Sequence, residues 1–157
     1  MQAEIRQAGA GDAAAIAALT RAAYAKWVPR IGREPLPMTV DYAQALTEHR
    51  FDLLEADGAL AALIETTPEG EALLIVNVAV RPDAQGRGFG VRLLKLAETL
   101  ALETGLPATR LYTNALFAEN LRLYASLGYR VEREEPHNGG VTVHMVKALG
   151  QADERRQ

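Results

Sequence analysis

The sequence has no cysteine among its 157 residues. Disulfide bonds, thiolate zinc sites and cysteine nucleophiles are therefore excluded together. A chain without cysteine fits a reducing compartment, so we expect a cytoplasmic location.

The sequence also lacks a strong charge and a long apolar segment. Its net charge is −3, with 17 basic and 20 acidic residues, which gives no basic footprint for nucleic acid. The longest apolar run, Ala72 to Val80, is interrupted by Asn77 and is too short to span a bilayer. The first residues show no basic stretch followed by an apolar run, so we expect no signal peptide. We expect neither a nucleic-acid partner nor a membrane partner.

The composition that remains is that of a globular protein with one core. The hydrophobic content is 48%, and for this length we predict a single domain over residues 1–148 and a polar tail over residues 149–157. Apolar spacing predicts helices at 13–26, 39–49 and 118–127, and another between the glycine-rich segment and Gly105. Apolar runs predict strands at 3–8, 51–54, 59–66, 72–80, 110–114, 129–135 and 141–147, whereas prolines predict a loop over 27–38. This mixed order with hairpin turns favours an α+β (mixed α/β) fold.

The strongest local signal is a glycine-rich turn between an apolar strand and an amphipathic helix. Gly86, Gly88 and Gly90 allow tight curvature and a close approach of the backbone to a ligand. Unpaired N–H groups and the positive end of the helix dipole favour a phosphate there, with Arg87 and Arg92 at the rim. The spacing excludes a P-loop and misses the third glycine of a dinucleotide fingerprint. These residues alone leave open a plain glycine-rich connection.

Two blocks of the sequence resemble the GNAT superfamily of acyl-CoA N-acetyltransferases. The first is the signature Gln85-Gly86-Arg87-Gly88-Phe89-Gly90, which follows Val78-Ala79-Val80-Arg81-Pro82. The second is Asn120-Leu121-Arg122-Leu123-Tyr124, which leads to Leu127-Gly128-Tyr129. The resemblance implies a central, mostly antiparallel sheet of about seven strands flanked by about four helices. Because family members often pair through their late strands, it also suggests a homodimer.

The resemblance implies acetyl-CoA as the cosubstrate and no metal. The pantetheine arm is expected along the apolar strand and the diphosphate on the glycine-rich turn. Asn120 and Tyr124 are one helical turn apart and are expected to point toward the thioester, although many relatives carry the asparagine where this chain has Phe117. The expected cofactor-binding residues are Val78, Ala79, Val80, Gln85, Gly86, Arg87, Gly88, Phe89, Gly90, Val91 and Asn120.

Tyr124 is the candidate catalytic residue. A phenol with a pKa near 10 can protonate the departing thiolate, whose thiol has a pKa of about 8.5. Helical spacing alone would instead make Tyr124 a core aromatic residue. A backbone N–H near Ala79 is the expected oxyanion donor.

No residue of the sequence stands out as the base. Asn77, on the apolar strand, cannot accept a proton at neutral pH. We expect Glu65 and Glu71 to be solvated, His137 to lie in a loop and His144 on a strand surface. An amine that loses its proton to water needs no dedicated base.

The acceptor is expected at the segment around the first two helices, which covers the acceptor mouth in this family. Two arginines there suit a carboxylate or a phosphate, so we predict an anionic small-molecule amine. The aromatic and methionine side chains could instead anchor the segment to the core. Acetylation of a protein N-terminus or lysine, and a non-catalytic CoA-binding module, stay open as alternatives. The candidate substrate-binding residues are Trp27, Arg30, Arg33, Met38, Tyr42 and Asn77.

Overall fold

The structure is a computed structural model that describes residues 3–137 and 139–150. Its strands are β1 (Ala3–Gln7), β2 (Arg50–Ala56), β3 (Ala59–Glu69), β4 (Ala72–Val80), β5 (Ala108–Asn114), β6 (Arg130–His137) and β7 (Gly140–Ala148). Its α-helices are α1 (Ala13–Tyr24), α2 (Val28–Ile31), α3 (Tyr42–Glu48), α4 (Phe89–Glu103) and α5 (Ala118–Ser126), with short 3₁₀ turns at Ala10–Asp12, Ala25–Trp27, Leu36–Thr39 and Pro82–Ala84.

The strands form a seven-stranded sheet in the order β1-β2-β3-β4-β5-β7-β6. The pairs β1–β2, β2–β3, β5–β7 and β6–β7 are antiparallel, and β4–β5 is parallel. This confirms the prediction of a mixed α/β fold with a mostly antiparallel sheet of about seven strands and about four helices, to which the four-residue α2 is an addition.

The chain divides into two compact units. One contains the residues up to Thr67 together with Val76–Leu96, and the other contains Pro68–Ile75 and the residues from Ala97 onward. Each unit therefore takes one part of β4 and one part of α4. The domain boundaries predicted from the sequence stay a prediction.

In the first unit, α1 and α3 pack on one face of β2, β3 and β4. The helices contribute Ile16, Leu19, Ala23, Tyr42 and Ala45, and the strands contribute Phe51, Leu53, Leu63 and Ala79. These apolar positions recur at helical spacing in α1 and at every second residue in the strands, so each element buries one side. Polar side chains of the candidate site also lie on this face.

The start of α3 differs from the prediction that placed it at Thr39. Asp41 caps the helix, because its Oδ1 accepts a hydrogen bond from the Gln44 N–H at 3.2 Å. Thr39 belongs to the preceding 3₁₀ turn, and its Oγ1 donates to the Leu36 carbonyl at 2.8 Å.

The segment 27–38, predicted as a loop, contains α2 and part of two 3₁₀ turns. Pro29 lies in the first turn of α2 and Pro37 in the first turn of the second 3₁₀ segment, where a proline loses no helical hydrogen bond. Gly32 ends α2 with a φ of 75°. The prolines therefore start short helices here, and the prediction of a loop was wrong for these stretches.

In the second unit, Ala72–Ile75 of β4 pairs with Ala108–Leu111 of β5. The Thr109 and Tyr129 hydroxyls share a buried hydrogen bond at 2.7 Å. Leu149, which the sequence placed in a polar tail, is 7% exposed and donates its N–H to the Pro107 carbonyl at 2.7 Å. Residues 151–157 of the predicted tail lie outside the described residues. His137, expected in a loop, is the last residue of β6.

Candidate functional site

The glycine-rich turn of the first unit joins β4 to α4. Gly86 has a φ of 86° and Gly88 a φ of 82°, a conformation that side-chain-bearing residues rarely adopt. The N–H of Arg92 donates to the Gly88 carbonyl at 3.0 Å, so the N–H groups of Phe89, Gly90 and Val91 precede the first intrahelical bond of α4. The turn therefore presents backbone donors and the positive helix end together, as a diphosphate requires.

Side chains hold the two ends of this turn. The Gln85 Nε2 donates to the Val80 carbonyl at 3.2 Å, which ties the turn to the end of β4. The Arg87 guanidinium lies 4.0 Å from the Asp57 carboxylate and 5.8 Å from the centroid of the Phe89 ring. Phe89 itself is 4% exposed and anchors α4 to the core. Arg87 thus brings a positive charge to the rim while the backbone forms the cradle.

The end of β4 carries the residues expected along a pantetheine arm. Pairing with β5 covers Ala72–Ile75, and β4 continues to Val80. Ala79 is buried with the core of the first unit, whereas Val78 and Val80 alternate with it and are half-buried. Val78 and Val80 therefore lie on the other face of the strand from α1 and α3.

Helix α5 of the second unit carries Asn120 and Tyr124. Asn120 is half-buried, and Tyr124 is 7% exposed with its ring edge-on to Tyr129 at 6.0 Å between centroids. Burial raises the pKa of the Tyr124 phenol, and the nearby Tyr129 adds to the shift. The hydroxyl therefore keeps its proton throughout the neutral range. Phe117, at the N-cap of α5, is buried.

Asn77 is the polar residue of β4 that faces α1. It is 4% exposed, and its Oδ1 accepts a hydrogen bond from the Tyr24 hydroxyl at 2.7 Å. Its Nδ2 is buried and has no hydrogen-bond partner in the described part of the chain. A buried donor without an acceptor costs about 1–3 kcal/mol, which makes this amide group a candidate to donate to a water molecule or a ligand.

The other candidate acceptor residues divide into anchors and exposed cations. Trp27 is 3% exposed, Met38 8% and Tyr42 4%, and the Tyr42 hydroxyl donates to the Pro37 carbonyl at 2.7 Å. Burial raises the pKa of Tyr42 to about 12. Arg30 and Arg33 are exposed, and the Arg30 guanidinium stacks 4.7 Å from the centroid of the Trp27 ring. Contact of these five residues with a substrate stays a prediction.

A buried pair of His49 and Glu65 was missed by the sequence analysis, which expected Glu65 to be solvated. Glu65 is 4% exposed, and its Oε2 lies 2.6 Å from His49 Nδ1. Burial raises the pKa of Glu65, and the contact with His49 opposes part of this shift. The expectation was wrong because β3 is covered on both faces from Ala61 to Thr66, so alternation along the strand does not expose this side chain.

The remaining candidates for the base are on the surface. Glu71 is exposed in the turn between β3 and β4, and His137 is exposed at the end of β6. His144 is half-buried and pairs with Glu135 through its Nε2 at 3.0 Å. Residues 3–137 and 139–150 contain no group of three or more His, Asp or Glu side chains that could hold a metal ion. None of the helices placed in that part of the chain is long and apolar enough to cross a membrane.

Comparison with known proteins places this architecture in a wider group. The sequence model of the Acetyltransferase (GNAT) family matches residues 14–129. No curated protein matches the chain significantly.

Three solved structures illustrate the fold that the chain shares. The PaiA N-acetyltransferase from Thermoplasma acidophilum, in complex with coenzyme A, has a TM-score of 0.81 at 19% identity, over 95% of this chain and 100% of that one. The ribosomal-protein-S18-alanine N-acetyltransferase from Escherichia coli has a TM-score of 0.77 at 22% identity, over 96% and 97%. The yncA structure from Salmonella typhimurium, with acetyl-CoA, has a TM-score of 0.74 at 22% identity, over 96% of both chains. At these identities the likeness concerns the fold.

Proposed function

Because the chain belongs to the GNAT acetyltransferase family, we propose that it transfers the acetyl group of acetyl-CoA to a primary amine of a small molecule. The observation that carries this proposal is the glycine-rich turn, in which Gly86 and Gly88 adopt positive φ directly before the N-terminus of α4. The matched family region contains the whole turn.

The residues of the turn and of β4 fit coenzyme A. The N–H groups from Gly86 to Val91 would hold the diphosphate, with Gln85 and Arg87 beside them. Backbone groups of Val78 and Val80 would pair with the pantetheine arm, and the N–H of Ala79 or of a neighbouring residue would serve as the oxyanion donor. When bound, the thioester supplies the acetyl group and a thiolate leaving group.

We assign Tyr124 as the general acid that protonates the departing thiolate. The feature that supports this assignment is that Tyr124 occupies the tyrosine position of the family motif, with a phenol that is protonated at neutral pH. Replacement of Tyr124 by Phe is expected to lower kcat by about 100-fold with little change in the Kd of acetyl-CoA. Equal losses in both constants would contradict the acid role.

The acceptor is proposed to be an anionic amine such as an amino acid or its derivative. Exposed Arg30 and Arg33 can bind a carboxylate or a phosphate, and the unpartnered Asn77 Nδ2 can donate to an acceptor oxygen. The likeness to a ribosomal-protein N-acetyltransferase keeps peptides in the test as a second acceptor class.

The direct experiment measures release of the coenzyme A thiol with a panel of amino acids, polyamines and short peptides. Turnover with anionic small amines is the expected result. Turnover with peptides alone would show that the acceptors are peptides and not small amines. Binding of acetyl-CoA without turnover of any amine would identify a non-catalytic CoA-binding module.

The two ends of α4 provide a matched control for the coenzyme site. Gly88 precedes the helix and Gly105 follows it, with φ values of 82° and 79° and open space around a Cβ in both cases. Replacement of either by Ala costs about 1 kcal/mol of stability through backbone strain. We expect only Gly88→Ala to weaken acetyl-CoA binding measured by calorimetry, by about tenfold. Equal binding by both variants would argue against the turn as the diphosphate site.

A further inference from the structure

His49 and Glu65 form an acid–imidazole pair with a buried carboxylate, and the mechanism above does not use it. The Glu65 carboxylate accepts at 2.6 Å from His49 Nδ1, which leaves Nε2 as the nitrogen that can take a proton. The side chain of Glu65 is 5% exposed and that of His49 is 28% exposed, so the carboxylate is sheltered while the imidazole reaches solvent. In residues 3–137 and 139–150, no hydrogen bond occupies His49 Nε2.

This pair lies on the same face of the sheet as Asn77. Leu63 and Ala79 both pack against α1 and α3. Because strand side chains alternate, Glu65 on β3 and Asn77 on β4 project to that same face. The bond from the Tyr24 hydroxyl of α1 to Asn77 agrees with this placement.

The face thus carries two hydrogen-bonded pairs, Tyr24 with Asn77 and His49 with Glu65, which offer three different functions. Asn77 Nδ2 is a buried donor that has no partner among the described residues, His49 Nε2 is a nitrogen available to a proton, and Glu65 fixes the imidazole. An amine next to an oxygen, as in an amino acid, fits such a set: the oxygen accepts from Asn77 and the nitrogen faces the imidazole.

We propose that His49 is the base that removes a proton from the acceptor ammonium, that Glu65 positions it, and that Asn77 orients the acceptor through a neighbouring oxygen. The proposal rests on the proposed acetyl transfer. The ammonium gives one proton to His49 Nε2, and the resulting amine lone pair forms the bond to the acetyl carbon while the carbon–sulfur bond breaks. The thiolate takes a proton from Tyr124. A second proton then leaves the attacking nitrogen and restores the Tyr124 hydroxyl. His49 then releases its proton to solvent, which leaves amide, thiol and one proton.

The other titratable groups around the pair do not compete for this proton. Tyr42 of α3 faces Glu65, and burial raises its pKa to about 12, so it stays neutral. Tyr24 of α1 already donates to Asn77. Asp52 of β2 points to the opposite face, since its neighbours Phe51 and Leu53 face the helices, and it is bound by Arg50 at 2.9 Å.

The test compares His49→Gln with His144→Gln, which removes the histidine of the His144–Glu135 pair. The acceptor is the amino acid that the wild type acetylates fastest, and kcat/KM is measured from about pH 6 to pH 9 together with the Kd of acetyl-CoA. We expect His49→Gln to lose about 100-fold in kcat/KM near neutral pH with an unchanged Kd. The deficit shrinks as pH rises, because bulk deprotonation of the amine replaces the lost base. His144→Gln is expected to match the wild type.

Each other outcome contradicts the proposal in its own way. A His49→Gln variant with wild-type kcat/KM, or with a deficit that is constant across pH, would overturn the role of His49 while leaving acetyl transfer intact. A wild-type enzyme that releases no thiol with any amine would overturn the proposed function and this inference with it.

Glu65→Gln tests the positioning role and decides the matter if His49→Gln does not fold. The amide keeps the size of the side chain but stabilises the imidazolium less, so we expect kcat to fall by about tenfold, with a smaller deficit at high pH. Glu65→Asp shortens the side chain and is expected to retain part of the rate. Wild-type rates in Glu65→Gln would contradict the assignment.

Discussion

Two histidine–glutamate pairs of this chain have the same chemical groups in opposite surroundings. His49 and Glu65 lie 2.6 Å apart in the first unit, with 5% of the Glu65 side chain exposed. His144 and Glu135 lie 3.0 Å apart in the second unit, with 54% of the Glu135 side chain exposed. Burial raises the pKa of Glu65, whereas the hydrogen bond from His144 and the charge of Arg133 lower the pKa of Glu135.

The two pairs differ in the exposure of the glutamate and not in residue identity. Water solvates both members of an exposed pair, so their attraction contributes little to stability. A buried carboxylate loses its hydration, and a partner recovers only part of that loss. A fold that keeps the buried pair therefore accepts a penalty, which is typical of a site selected for chemistry.

Charge reversal at the two glutamates is expected to give the largest difference in stability between the pairs. In Glu65→Lys a buried ammonium would face His49, and we expect the free energy of unfolding to fall by about 3 kcal/mol or more. In Glu135→Lys the new charge stays in water, so we expect a much smaller fall in the urea midpoint. Urea unfolding followed by circular dichroism at neutral pH measures both. Equal midpoints for the two variants would contradict the contrast in burial.

Double-mutant cycles measure the coupling energy between the histidine and the glutamate of each pair, which is expected to be smaller than the effect of charge reversal. Replacing His49 and Glu65 by Gln, singly and together, is expected to give a coupling energy of about 1–3 kcal/mol. The same cycle on His144 and Glu135 is expected to give a much smaller coupling. A coupling of similar size in both cycles would show that burial does not separate the pairs.

The sequence predicts well what a short segment encodes by itself. The glycine-rich turn is an example, because the strand, the glycines and the helix that make it are contiguous from Val78 to Val91. Its positive φ values at Gly86 and Gly88 follow from residue type. The seven strands were placed to within a few residues for the same reason.

The sequence does not predict contacts between distant segments. His49 and Glu65 are 16 residues apart on different elements, and nothing in the local pattern around either residue indicates the pairing. Burial of Glu65 depends on helices from an earlier part of the chain. The short helices in 27–38 were missed because proline is read as a breaker, although it is tolerated in a first turn.

The pH dependence of stability is expected to have opposite signs for the two glutamates. The raised pKa of Glu65 means that the folded chain binds the carboxyl proton more tightly than the unfolded chain does. The stability of the wild type relative to Glu65→Gln therefore falls as pH rises from about 4 through the raised pKa. The lowered pKa of Glu135 means that its carboxylate stabilises the folded chain at pH values above its ordinary pKa. This contribution is lost as pH falls through the lowered pKa. Glu135→Gln is therefore less stable than wild type above about pH 4, and the difference disappears at lower pH. Urea midpoints between about pH 2 and pH 7, which span the titrations of both carboxyl groups, test the signs, and slopes of the same sign would refute them.

Salt has the smallest expected effect and acts on one pair only. The pKa of Glu135 is lowered first by its hydrogen bond to His144 and next by the charge of Arg133, and both contacts lie in water. At 1 M salt the screening length is about 3 Å, so exposed charges farther apart than this interact only weakly. We therefore expect the pKa of Glu135 to move up toward its ordinary value. His144→Gln should raise it further, and the pKa of Glu65 should respond to neither change, since burial is its main cause. Carbon NMR of the side-chain carboxyl groups follows the two residues in one sample, and a Glu65 pKa that moved with salt as much as that of Glu135 would mean that water reaches both pairs.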